Sequence, residues 1–358
     1  MAPQTRTETQ TQTEEVTTQT GRLNLVGGGE GPQYPQYLPS VDHTTFPDWE
    51  EIPYVDAGTR GTPDKRHLFL PGSTHKPLTP RIGEEIRGVQ ISQLSKEGLD
   101  DLALLAAERG VLVFRGQDFK DIGPERQLDT VRHFGRLHIH PTMPYPEGLP
   151  EMHVVYKDPA STANAIKPNE TQSISSVVWH ADHTAERQPP GITFFFALEV
   201  PSAGGDTLFV SATEAYKLLS DGYKERLEGL KIVHDNTSMI EYAKSRGAPA
   251  RFNPSKHAHP LIRTHPATGA KIVAAIGAGE GNGQPRYIEG FKREESEATL
   301  RLLNDVLQRS GDIQARATYE PGTVVVWDNR VVGHTPVHDF EGERRHFIRI
   351  AAMAEKPF

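Results

Sequence analysis

"GITFFFALEV", residues 191–200, follows two prolines and carries aromatic and β-branched side chains through most of its length. Such a run, closed by Pro201, reads as a strand buried on both faces. It is far shorter than the roughly 20 residues needed to cross a bilayer, and no longer apolar stretch exists. Runs of the same kind recur at "VLVFRG" (111–116), "DTLFVS" (206–211), "KIVHD" (231–235), "TVVVW" (323–327) and "RHFIRIAAM" (345–353). Helical patterns lie among them. In "SKEGLDDLALLAAERG" (95–110) Ser95 is a candidate N-cap, Leu99, Leu102, Ala103 and Ala106 recur at helical spacing, and Gly110 ends the run. "PERQLDTVRHFGRL" (124–137) and "REESEATLRLLNDVLQRS" (293–310) read as further helices. The class expected is mainly β with helical insertions, a sandwich or barrel rather than a doubly wound sheet. "GAGEGNG" opens no apolar helix and so is no nucleotide fingerprint.

The chain of 358 residues has 36% hydrophobic residues, 39 basic and 47 acidic ones. A net charge of -8 offers no basic field for nucleic acid. With no cysteine, any metal must be held by imidazole and carboxylate. Residues 1–40 are polar and low in complexity, a composition expected to form a disordered arm. Residues 41–358 are expected to form one domain, with 41 to about 80 lying extended over the body. The first residues have no secretory h-region, which points to a soluble cytoplasmic protein with no membrane partner and with self-association left open.

Chemistry concentrates in "VVWHADHT" (177–184). On a strand, His180 and Asp182 share a face while Ala181 points away, and so would His183 if the strand continued. An imidazole and a carboxylate so placed can begin a 2-His-1-carboxylate iron triad. In "TVVVWDNRVVGHTPVH" (323–338), His334 is the favoured third ligand, with His338 the runner-up beyond Pro336. In the last strand Arg345, Phe347 and Arg349 share one face, and His346 and Ile348 the other. Two guanidiniums about 13 Å apart inside a core call for anions to meet them.

These features resemble the taurine dioxygenase-like (TauD/TfdA) family of Fe(II)/2-oxoglutarate-dependent dioxygenases, through "RIGEEIRGVQISQL", "ERGVLVFRGQDF", "FGRLHIHP", "WHAD", "PPG", "AGGDTLF", "HPLIRTHPATG", "WDNRVVGH" and "RRHFIR". "PQYPQYLPSVD" ahead of the core is similar to the fungal sulfonate dioxygenase branch. The resemblance implies a double-stranded β-helix (jelly roll) holding Fe(II) through His180, Asp182 and His334. It implies 2-oxoglutarate held at its far carboxylate by Arg345 and Thr207, O2 as co-substrate, and a small anionic organic substrate met by Arg349. The implied reaction gives succinate and CO2 while a substrate carbon is hydroxylated; a sulfonate would then break down to aldehyde and sulfite.

Against taurine-using relatives, Tyr145 stands in place of a sulfonate-contacting histidine, and Ser176 in place of an asparagine near the substrate amine. His183 replaces an apolar or aromatic residue at the pocket entrance, and the glycine-rich stretch 274–290 replaces a shorter segment. The expected substrate is therefore an alkyl or aryl sulfonate other than taurine. Carboxylates, aryloxyalkanoates and sulfate esters are the alternatives, and a non-catalytic metal-binding β-helix is the rival from another class. Phe194, Phe195, Phe196 and Phe347 are candidates for apolar walls, at least one of them plain core. His138 and His140 in "HIHP" are read as structural.

Overall fold

The computed structural model describes residues 31–158, 178–278, 285–340 and 342–358. The phenylalanine run forms the strand Pro190–Glu199, buried at every position but its last. It lies inside a seven-stranded sheet, antiparallel to Val324–Asp328 on one side and Arg345–Met353 on the other. Val111–Phe114, Glu84–Arg87 and Thr74–Pro77 extend the sheet beyond the first neighbour, and His153–Lys157 closes it beyond the second. A three-stranded sheet, Gln314–Ala317, Thr207–Ser211 and Val332–Pro336, supplies Phe209, Val210 and Val332 to the same apolar cluster as Phe195, Phe347 and Val325. The mainly β class with helical insertions is thus present as facing sheets.

Alternation along the central strand splits its phenylalanines between two cores. Phe195 stacks on Phe347 at 4.7 Å and shares their cluster with Trp327. Phe194 and Phe196 pack on the opposite face around Phe119, beneath helix Lys96–Arg109. Two of the four candidate wall residues are therefore core on the far side of the sheet. The helix begins where the spacing predicts, with Ser95 Oγ accepting from Gly98 N, and it ends at Gly110 in a left-handed turn of φ 78°. A Cβ on Gly110 would lie 2.6 Å from Val332 Cγ1, so only glycine lets this helix end press against the strand that carries His334.

Residues 41–56 run without regular structure, as an extended strap. Phe46 N donates to Arg251 O, and Ile52 N donates to Gln188 Oε1. Part of the stretch expected to be a loose arm is docked as well. Tyr37 is buried, its hydroxyl donates to Gln127 Oε1, and its carbonyl accepts from His346 Nε2. Residue 38 onward continues into a bridge between Ser40 and Tyr145. One aromatic ring anchored in a core is enough to order a polar neighbourhood, which composition averaged over forty residues hides. Residues 1–30 of that arm lie outside the described residues. Among the described residues no helix is long and apolar enough to cross a membrane.

Candidate active site

The H-x-D stretch does not form a continuous strand. His180 makes a single antiparallel bridge with His334, each backbone N–H donating to the other's carbonyl at 3.0 and 2.8 Å. The chain then turns, and Asn329 holds the turn by accepting from Asp182 N and donating to Asp182 O. The predicted shared face of His180 and Asp182 survives by a different route. The turn also carries His183 back, at φ 48°, into the cleft that Asp182 lines rather than away from it.

The three side chains converge. One ligand atom each from His180, Asp182 and His334 lie within 4.8 Å of one another. Both imidazole Nε2 atoms stand 3.8 Å from an Asp182 oxygen, too far for hydrogen bonds. His180 Nδ1–H donates to Val178 O, which leaves the Nε2 lone pair facing the carboxylate. Asp182 Oδ1 accepts from Arg349 Nη1 at 2.5 Å, while Oδ2 is buried without a partner. Burial raises the Asp182 carboxyl, but Arg349 and then the neighbouring imidazoles outweigh it and hold the group well below the usual carboxylate range. Burial, followed by the His180 imidazole, lowers His334 to about 3. Two imidazoles and one carboxylate with an orphaned oxygen are a donor set suited to a divalent transition metal. His338 stands outside this group, exposed past the end of its strand.

Arg345 is buried on the face it shares with Phe347, its guanidinium 4.3 Å from that ring. Its Nε donates to Gly205 O, and among the described residues no carboxylate comes within ion-pair distance. Burial lowers its pKa, the mark of a cation short of a counter-charge. Thr207 Oγ1 and the Tyr319 hydroxyl are 2.7 Å apart, and Tyr319 lies beside the Arg345 guanidinium.

A cleft of about 520 Å³ opens beside the triad. Arg349, His140, His153 and His183 form its polar end, and Met143, Met239, Ala243 and Ala248 much of its apolar wall. Tyr145 is absent from it. Its hydroxyl donates to Asp42 at 2.5 Å and its ring lies under Arg251, so the residue read as a substrate contact serves the strap instead. The reason is that Ser40 bridges the backbone at Tyr145 and draws the ring to the strap side. Ser176 and residues 279–284 of the glycine-rich stretch lie outside the described residues. Sequence reasoning set His140 aside as structural and missed His153 and helix Thr237–Ser245, whose Met239, Tyr242, Ala243 and the following Arg246 face the cleft. Their i, i+3, i+4, i+7 spacing was the available signal.

The sequence profile described as "Taurine catabolism dioxygenase TauD, TfdA family" matches residues 74–351, and the chain belongs to that family of α-ketoglutarate-dependent dioxygenases. It is 39% identical over 334 residues to the "Alpha-ketoglutarate-dependent sulfonate dioxygenase" of Saccharomyces cerevisiae, covering 92% of this chain and 79% of that one. It is 40% identical over 334 residues to the "Alpha-ketoglutarate-dependent dioxygenase cnsP" of Penicillium expansum, covering 91% and 88%. Among solved structures, a taurine dioxygenase from Burkholderia xenovorans superposes with a TM-score of 0.62 at 26% identity, covering 80% of this chain and 91% of that one.

Proposed function

We propose that this chain is an Fe(II)- and 2-oxoglutarate-dependent dioxygenase that hydroxylates a small organic acid, foremost an alkyl or aryl sulfonate. The observation that carries the reading is Arg345, a buried guanidinium without a carboxylate partner, on the same strand face as Arg349, which in turn donates to the triad's Asp182. A metal-binding β-helix with no co-substrate would have no use for it. The facing sheets are proposed to be the two faces of a double-stranded β-helix, with the metal triad at one end.

His180, Asp182 and His334 would hold the iron, which with O2 supplies the oxidation that converts 2-oxoglutarate to succinate and CO2 and hydroxylates a substrate carbon. Arg345 binds the far carboxylate of 2-oxoglutarate in a pocket walled by Phe195, Phe347 and Tyr319, helped by the Thr207 hydroxyl. Arg349 fixes the orientation of Asp182 and offers its remaining charge to the substrate's acid group, so that a C–H bond faces the metal. Phe195 and Phe347 exclude water from the co-substrate end.

The preference against taurine now rests on the cleft rather than on Tyr145. Apart from Asp182, no carboxylate lines it among the described residues, so an ammonium tail would find no counter-charge, whereas an apolar tail would meet Met143, Met239 and Ala243. The relative named as a sulfonate dioxygenase supports the same substrate class. The test is anaerobic titration with Fe(II) and 2-oxoglutarate, followed by aerobic screening of sulfonates, sulfate esters and carboxylates for succinate coupled to product. Succinate and sulfite from a longer alkylsulfonate, with poor use of taurine, is the expected result. Succinate coupled only to a carboxylate would move the substrate class, and no 2-oxoglutarate turnover would end the reading.

A further inference from the structure

His153 opens the strand His153–Lys157, and the register sets it directly across from Arg349 on the neighbouring strand. Cross-strand partners project to the same face, so the imidazole stands beside the guanidinium at the polar end of the cleft. Both of its ring nitrogens are buried, and neither has a hydrogen-bond partner. Buried polar atoms are seldom left bare, and where they belong to a residue lining a cleft a ligand group or an ordered water is what would meet them.

Its neighbour His140 sharpens the point. The two rings are 4.6 Å apart. His140 Nδ1 accepts from Thr142 N and Met143 N, so the proton of the neutral ring sits on Nε2. Burial lowers both histidines well below the ordinary histidine value, so each presents one N–H as a neutral donor. His183 Nε2 meets Arg349 Nη2 at 3.3 Å and steadies the guanidinium from the other side.

We propose that His153 is a specificity-determining residue that completes, with Arg349 and His140, a three-donor cradle for an acid group bearing three terminal oxygens. Sulfonates and sulfate monoesters share that head group. A carboxylate has its two oxygens and their lone pairs in one plane and cannot aim an oxygen at each of three donors set around a tetrahedral head, which costs it affinity. This rests on the dioxygenase reading above and assigns its substrate head group.

The experiment measures binding by calorimetry to the full chain with Mn(II) and 2-oxoglutarate, using 1-hexanesulfonate, hexyl sulfate and heptanoate as probes of matched tail. The wild-type chain should bind both three-oxygen acids more tightly than heptanoate. His153→Leu should weaken them by about tenfold, the scale of one hydrogen bond to a charged group, and leave heptanoate within about twofold. Of hexanesulfonate and hexyl sulfate, the one that loses more identifies the head group the cradle fits. His153→Asn and His153→Gln each keep an N–H near one ring nitrogen, so one of them should restore the preference. They also carry the test if the leucine variant does not fold. Equal weakening of all three acids would reduce His153 to a packing role, and an unchanged preference in folded variants would overturn the proposal outright. The dioxygenase reading fails separately, if the iron-loaded wild-type chain makes no succinate from 2-oxoglutarate.

Discussion

Arg330 and Arg345 are both buried arginines at the edge of the same core, and they are satisfied in opposite ways. Arg330 donates to both oxygens of Asp328 at 2.8 and 2.6 Å and to Glu355 at 2.7 Å, and it also meets Asp56. His265 Nε2–H takes up the remaining demand on Asp328 at 2.9 Å. Around Arg345 there are rings and one backbone carbonyl, and no carboxylate within ion-pair distance among the described residues. A closed network stabilises the fold, whereas an open charge is held in place by the fold for something that arrives later. The same contrast separates Asn329, spent on the turn, from Asp182 Oδ2, left without a partner.

The largest effect should come from the open side. Asp182→Ala or His334→Ala removes one of three converging donors, and 2-oxoglutarate-dependent succinate formation should fall below detection while the chain stays folded by circular dichroism. Retained turnover in either variant would take that residue out of the metal site.

Next comes the closed side. Arg330→Ala leaves Asp328, Asp56 and Glu355 facing one another in a dry environment and should cost about 3–5 kcal/mol in urea unfolding. Arg345→Met should behave differently in both assays. It removes an uncompensated buried cation, so unfolding without ligand should be unchanged or slightly later, while 2-oxoglutarate binding loses roughly 2–5 kcal/mol. If Arg345→Met destabilised the chain as Arg330→Ala does, the distinction between the two arginines would collapse.

Much of this was legible from periodicity. The strand around Phe195, the shared face of Arg345 and Arg349, and the cap at Ser95 all follow from spacing, because burial imposes periods of 2 and 3.6 on the chain. The triad's residues were nameable because "HAD" is the only H-x-D in the chain and His334 follows shortly after a buried strand. What was not legible depends on chain direction after a turn. Nothing in "HADHT" announces a left-handed residue at His183, since no glycine marks it. Tyr145 was misplaced for a related reason. Its standing in place of a sulfonate-contacting histidine of taurine-using relatives suggested the pocket, but the strap at Ser40, distant in sequence, pairs with its backbone and turns the ring away. His140 and His153 come together across about a dozen residues of loop, a distance over which no local period operates.

Tyr145 gives the smallest test and separates the two kinds of residue most finely. Its hydroxyl donates to Asp42, and that bond, ahead of those from Thr44, lowers the Asp42 carboxyl to about 2 from an ordinary 3.8. A carboxyl depressed in the folded state contributes stability that is present above its unfolded value and is lost as pH falls toward the folded one. The wild-type chain should therefore lose an increment of stability between about pH 4 and pH 2. Tyr145→Phe should lack much of that increment, having already lost about 1 kcal/mol at neutral pH, a modest figure because Asp42 is partly open to solvent. Its choice among sulfonates should not change, since the ring lies outside the cleft. A shift in substrate preference in Tyr145→Phe, with stability intact, would return the residue to the pocket and show that a satisfied hydrogen bond does not by itself mark a residue as structural.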